Sequence, residues 1–135
     1  MHTPILYRII LPVKNIERAV SFYGAVLGIP GHRISPGRHY FRCGGTILAC
    51  YDPVADGDGQ QEDWHFHPFQ YLYFSVGNLE EALERFQQAG GALDAGIETK
   101  AWGERLFHGR DPFGSRISFV DESTVFTGRG MSIFS

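Results

Sequence analysis

The feature that most constrains this chain is a sequence stated nearly twice. VKNIERAVSFY at 13–23 returns as VGNLEEALERF at 76–86, an offset of 63 that matches Val13 with Val76, Asn15 with Asn78, Glu17 with Glu80, Ala19 with Ala82 and Tyr23 with Phe86. A second echo, at an offset of 69, aligns GTILACYD (45–52) with GSRISFVD (114–121) and pairs Gly45 with Gly114 and Asp52 with Asp121. Two echoes in the same order imply a duplicated module. In 135 residues each copy has roughly 65, too few to bury a full core alone, so the copies are expected to share one.

Each copy carries the same order of local signals. LYRIILPV (6–13) is rich in β-branched and aromatic residues and reads as a strand. Asn15 is suited to cap a helix whose apolar positions Ile16, Ala19, Val20, Tyr23, Val26 and Leu27 recur at helical spacing, with Gly28 as a left-handed terminator. Strands are expected near 32–35, 39–43 and 46–52, the last two joined by Gly44-Gly45, a pair that supplies the positive φ of a two-residue hairpin. In the second copy QYLYFSV reads as a strand from Gln70, and Asn78 with Glu81 makes a capping-box pattern before a stripe of Leu79, Ala82, Leu83 and Phe86 that stops at Gly90-Gly91. Strands at 93–99, 103–109 and 115–121 complete it, the last two joined by the turn RDPFG (110–114). Each module reads βαβββ, and the fold class is α+β. One domain, 1–122, is expected from module 5–52 and module 70–121, joined by the acidic, Gly-bearing loop 53–69 and followed by a tail, 123–135, that either packs across a subunit boundary or frays.

Composition narrows the partners. A net charge of −3 offers no basic face for a phosphate backbone, so nucleic acid is an unfavourable partner. No apolar run reaches the ~20 residues of a membrane span, and MHTPILYRII lacks the charged-then-apolar pattern of a secretory leader, which points to a cytoplasmic protein. Cys43 and Cys50, both in strand-like runs, read as buried free thiols rather than a disulfide framework.

The chain resembles the vicinal oxygen chelate superfamily, the glyoxalase, bleomycin-resistance and extradiol dioxygenase proteins. Three pieces carry the resemblance: VKNIERAVSFYGAVLGI (13–29) after a strand, its weaker copy at 76–91, and DPFGSRISF (111–119). The resemblance covers about residues 5–122 and implies two βαβββ modules forming an eight-stranded cup with flanking helices, often completed across a homodimer. In metal-using members one ligand stands in the first strand of each module and one in the last. Those positions fall here on Arg8, Ala49, Tyr71 and Ser118. Guanidinium has no free lone pair, alanine offers nothing, and neutral tyrosine and serine are feeble ligands, so the resemblance implies a protein without the metal centre and no other cofactor. It is closest in kind to the metal-free bleomycin-resistance type, which sequesters a ligand without chemistry.

Alternate residues of a strand face opposite sides. With Arg8, Ala49, Tyr71 and Ser118 in the cup, Leu6, Ile10, Ile47, Tyr51, Tyr73, Ser75, Arg116 and Val120 join them, and the opposite parity is almost wholly apolar. Pairing across Gly44-Gly45 sets Tyr40 opposite Ala49 and adds Tyr40 and Arg42. The expected ligand-binding set is Arg8, Tyr40, Arg42, Tyr51, Tyr71, Tyr73, Trp102, Arg116 and Ser118, suited to a planar or anionic organic molecule. Arg8, mid-strand among apolar residues, needs an internal carboxylate or a ligand.

Trp102, Glu104, Arg105 and His108 are expected on the penultimate strand, whose register is open because Leu106 and Phe107 both suit a core. Glu104 is a charge partner for Arg8 or Arg116, and His108 reads first as a strand-end histidine near solvent and second as a general base. The alternation His65–His67 in the connector is a weak metal pattern. Three functions follow: a metal-free small-molecule binder; a lyase, isomerase or dioxygenase working through a displaced metal or through His108 and Glu104; and a dimerisation module whose cup is filled by its own side chains.

Overall fold

The computed structural model describes residues 3–60 and 67–126. The order of elements is β1 (Arg8–Pro12), α1 (Ile16–Leu27), β2 (His32–Ser35), β3 (Arg38–Cys43), β4 (Thr46–Tyr51), β5 (Tyr71–Val76), α2 (Leu79–Gln88), β6 (Ala92–Leu93), β7 (Glu98–Thr99), β8 (Arg105–Arg110) and β9 (Arg116–Asp121), then a short 3₁₀ turn, Glu122–Thr124. Each module closes in the same way. Its first strand returns through a helix to lie parallel to its last, β1 beside β4 and β5 beside β9, and the remaining strands pair antiparallel outward. The result is a sheet ordered β1-β4-β3-β2 and another ordered β5-β9-β8-β6, with β7 also on β8.

The helices begin and end where the repeated letters place them. Asn15 Oδ1 accepts from Arg18 N at 3.0 Å and Asn78 Oδ1 accepts from Glu81 N at 3.0 Å, satisfying amides that a helix start leaves without partners. The capping box stops at that half, because the Glu81 carboxylate turns away to Arg85 at 2.6 Å. Gly28 has φ 72°, and its amide donates to Gly24 O at 3.0 Å, closing α1 in a conformation that a side chain disfavours.

One core serves both modules. Leu11, Phe41, Leu48 and Cys50 from the first sheet and Phe107, Ile117 and Phe119 from the second are buried together against Phe22, Tyr23 and Phe86 of the helices. Phe86 stands at its centre, with ring centroids 5.9 Å from Phe22, 5.6 Å from Phe107 and 5.9 Å from Phe119. Gly91 and Gly109 make room for it, since a Cβ at either would lie within 2.4–2.5 Å of its ring. The helices run antiparallel, and Arg18 of α1 donates to Ala89 O beyond the end of α2 at 3.0 Å. The turn of module two also reaches module one: Tyr23 OH donates to Asp111 Oδ2 at 2.6 Å in a buried contact.

The second module departs from the expected βαβββ at one place. The strand expected over 93–99 is broken into β6 and β7, so the second sheet has five strands. Leu93 pairs with Gly109 and Glu98 with Leu106, so four residues, 94–97, lie opposite two, 107–108. Asp and Gly at 94 and 96 are poor strand formers; Asp94 N still donates to His108 O at 3.1 Å, while its carboxylate turns to two arginines. The following strand begins at Arg105, so Trp102 and Glu104 lie in a hairpin turn, closed by Lys100 N donating to Glu104 O at 2.8 Å, rather than on the strand.

Candidate functional site

Strand pairing puts the candidate residues on the face of each sheet opposite the core. Tyr40 lies beside Ala49 and Arg42 beside Ile47 in the first sheet, while His108 lies beside Ser118 and Arg110 beside Arg116 in the second. Because the turns between these strand pairs are related by the duplication, Arg8, Tyr40 and Ala49 in module one occupy the places of Tyr71, His108 and Ser118 in module two. The two halves have diverged chemically: the first offers a guanidinium and a phenol, the second two rings and a hydroxyl.

In the first half Arg8 donates to Tyr40 OH at 3.1 Å and lies 5.5 Å from the Tyr7 ring and 5.6 Å from the Tyr40 ring. It is exposed and meets no carboxylate among the described residues, so its charge is solvated in the single chain. The expectation of a costly buried charge applies only once something covers it. Arg42 is also exposed and makes no hydrogen bond or ion pair among the described residues. Tyr51 is used elsewhere: its hydroxyl donates to Asp58 at 2.6 Å, which raises its pKa, and Arg38 lies 4.4 Å from its ring.

In the second half two arginines share one carboxylate. Asp94 holds Arg110 at 3.3 Å and Arg116 at 3.3 Å, and Arg116 also donates to Pro68 O at 2.8 Å and stands 5.5 Å from the Tyr71 ring. Glu104, expected as the partner of Arg8 or Arg116, instead accepts from Trp102 Nε1 at 2.8 Å at the hairpin tip, where Lys100 Nζ also lies 6.0 Å from the Trp102 ring. Asp94 was not among the expected residues. Its one sequence signal is an acidic residue inside a segment otherwise read as strand.

His108 faces the concave side, contrary to its first reading as a solvent-facing strand end. Its Nδ1 is 2.5 Å from Ser118 Oγ, and its ring meets Tyr71 and Tyr73 edge-on at 5.7 and 6.0 Å. Ser118 is fully buried beneath it, so a ligand on this face would meet the imidazole and the tyrosines first. Burial lowers the His108 pKa below its ordinary 6.5, Lys100 and Arg116 add to the lowering, and Glu98 and Asp94 oppose it. The unfolded chain therefore takes up this proton more readily than the folded one. Stability from this group is full above the ordinary histidine pKa and is lost as pH falls through the lower folded value. Urea titrations from pH 8 to about 5 should show a decline that is shallower in His108→Gln; equal slopes would rule out this linkage.

The four positions at which a metal would be expected carry Arg8, Ala49, Tyr71 and Ser118, a donor set that does not fit a divalent ion. Among the described residues no three His, Cys, Asp or Glu side chains gather where they could hold one. His67 uses Nδ1 to accept from Phe69 N at 3.2 Å, while His65 lies outside the described residues, as does the tail from 127. Cys43 and Cys50 are free thiols, and burial pushes Cys50 up to about 12. No described helix is long and apolar enough to cross a membrane.

Three cavities follow the seam between the sheets. One of about 580 Å³ is lined in part by Arg42, Tyr73 and Ser75; one of about 290 Å³ lies between Leu6, Ile47, Tyr71 and Tyr73; one of about 230 Å³ lies between Ile10, His67 and Arg116.

The sequence profile of the Glyoxalase/Bleomycin resistance protein/Dioxygenase superfamily matches residues 5–119. Solved structures with this fold include a glyoxalase-related enzyme from Fulvimarina pelagi, 21% identical with a TM-score of 0.70 over 88% of each chain. An integron cassette protein from the mobile metagenome of V. cholerae is 22% identical, with a TM-score of 0.67 over 90% of this chain and 97% of its own. Lactoylglutathione lyase from Agrobacterium tumefaciens is 18% identical, with a TM-score of 0.66 over 90% of this chain and 96% of its own. At these identities the likeness is one of fold. No functionally curated protein matches the sequence.

Proposed function

From the premise that the chain belongs to the Glyoxalase/Bleomycin resistance protein/Dioxygenase superfamily, we propose that it is a metal-independent binder of a small planar organic anion, held on the concave face. The observation that carries this reading is Arg8, a guanidinium beside the rings of Tyr7 and Tyr40 that meets no carboxylate among the described residues, while Arg110 and Arg116 opposite share the one carboxylate of Asp94. An anion paired with Arg8 and a ring laid on tyrosines use the two strongest features of such a surface. Arg8, Tyr40, Tyr71, Tyr73 and Arg116 are its contacts; Trp102, Tyr51 and buried Ser118 stand back from it.

The ligand's cover is a second copy of the chain. Leu6, Ile10 and Tyr73 are 64%, 55% and 51% exposed on or beside this face, more apolar surface than a solvated sheet face ordinarily leaves uncovered. Sedimentation is expected to give a dimer, and a monomer at all concentrations would remove that cover.

The deciding experiment is a thermal-shift screen of benzoate and salicylate against their neutral amides. A ligand that binds only the folded state raises the melting temperature by linkage. The carboxylates should raise it, the amides should not, and the rise should be unaffected by EDTA and lost in Arg8→Gln. A shift that EDTA abolishes would replace this reading with a metal-dependent one.

A second reading rests on His108, whose lowered pKa keeps the imidazole neutral and able to accept a proton near pH 7. Glu104 is tied to Trp102 and does not act with it. Turnover of any carbonyl substrate that disappears in His108→Ala would favour this enzyme reading.

A further inference from the structure

We propose that the ligand of the concave face is a dianion, a planar ring with acid groups at opposite ends, and not the monoanion that Arg8 alone would require. This rests on the reading of that face as a binding surface and adds to it a second charge and its position.

Strand register lines up the cations. In module one Arg8 pairs with Ile47 and Ile47 with Arg42; in module two Tyr71 pairs with Arg116 and Arg116 with Arg110. These are matched positions of the duplication: Arg8 with Tyr71, Ile47 with Arg116, Arg42 with Arg110. Strands β1 and β5 border one seam, where Leu6 shares a cavity with Tyr71 and Tyr73, and Ile10 shares one with Arg116. Arg8 falls between Leu6 and Ile10 in the alternation, so it lies across the seam from Tyr71. The two rows thus run on as one, with arginines at four of its six places.

A single carboxylate answers this row. Asp94 reaches Arg110 through one oxygen and Arg116 through the other, each at 3.3 Å, longer than the ~2.7–2.9 Å of a close guanidinium–carboxylate bond. One positive charge is left over in the second half, and Arg8 supplies another in the first. Elsewhere on this face Lys100 holds Glu98 at 2.6 Å, and Arg38 is held by Asp56 and Asp58.

Tyr71 stands between the two excess charges, its ring 5.5 Å from the Arg116 guanidinium. A ring laid on Tyr71 meets a guanidinium at each end, Arg8 on one side and Arg116 with Arg110 on the other. The backbones of Arg8 and Arg116 are at least two strand spacings apart, roughly 10 Å. Acid groups at opposite ends of the ring reach both; adjacent ones reach only one. Arg42, at the outer end of the row and three strands from Tyr71, lies beyond such a ring.

Calorimetry at neutral pH with terephthalate, phthalate and benzoate tests this. Terephthalate should bind the native protein about tenfold or more tightly than either of the others. That advantage should vanish in Arg116→Gln and grow in Asp94→Asn, which leaves two guanidinium groups without their counter-ion. Because the second effect is a gain, a variant that merely misfolds cannot imitate it. Benzoate binding that is lost in Arg8→Gln, with no advantage for terephthalate, overturns the second charge and leaves the binder reading standing. Phthalate as tight as terephthalate overturns the opposite-end geometry. An advantage that persists in Arg116→Gln, or that Asp94→Asn leaves unchanged, overturns the assignment of the second acid group to these arginines. If none of the three binds the native protein, the binder reading falls as well.

Discussion

Phe86→Ala is expected to lower the free energy of unfolding by about 3–5 kcal/mol, with the whole chain still melting in one transition. The ring is fully buried and touches the helix of the first module through Phe22 and the sheet of the second through Phe107 and Phe119. Collapse around the void is resisted from two sides, because Gly91 and Gly109 offer no side chain that could move in, and a close-packed interior relaxes only partly. Urea unfolding followed by circular dichroism measures the loss. A change under about 1.5 kcal/mol, or the appearance of two transitions, would mean that each module carries a core of its own, which is not what a shared cluster implies.

Asp111→Ala should come close to that cost by a different route, at about 3–5 kcal/mol. The carboxylate is 4% exposed and accepts from Tyr23 OH at 2.6 Å and from the amides of Phe113 and Ser115, each at 2.9 Å. Burial raises its pKa, and these bonds pull the other way. Removing it strands one buried hydroxyl and two turn amides, at about 1–3 kcal/mol per unsatisfied group, partly relieved by water entering at the turn. Tyr23→Phe should cost only about 1 kcal/mol, since the carboxylate keeps its two amides. If Tyr23→Phe proves as costly as Asp111→Ala, the hydroxyl and not the turn carries the effect. In the double variant the losses should be less than additive, as for two groups that share one bond.

Much of this was legible in the letters because it depends on short-range periodicity. Asn15 and Asn78 announce their helices, and Gly44-Gly45 fixes a hairpin register that sets Tyr40 beside Ala49. Once one residue of a strand is assigned a face, period two assigns the rest, which is why Leu11, Leu48, Ile117 and Phe119 are found in the core. What could not be read depends on partners far away in sequence. Asp94 stands at the start of the strand break and pairs with Arg110 and Arg116, sixteen and twenty-two residues on, and nothing local distinguishes it from an ordinary turn aspartate. The two-residue excess it begins shifts the register opposite β8. Leu106 and Phe107 both looked fit for a core because both are buried: Phe107 packs on the core side, while Leu106 lies against Val120 on the other. That apolar strip on the concave side is what hid the inward direction of His108.

The bond between Tyr23 and Asp111 makes the ancestry of the chain hard to reverse. A duplication begins with interchangeable halves. Here the aromatic that matches Tyr23 is Phe86, which has no hydroxyl to place, and the turn that matches the one holding Asp111 is built on a pair of glycines with no side-chain acceptor to offer. A chain of two first modules would set two tyrosine hydroxyls against bare glycine turns, and a chain of two second modules would set two buried aspartates against phenylalanine. Neither tandem should fold as stably as the natural order, so the halves have become unlike parts, each carrying half of a lock that only the other completes.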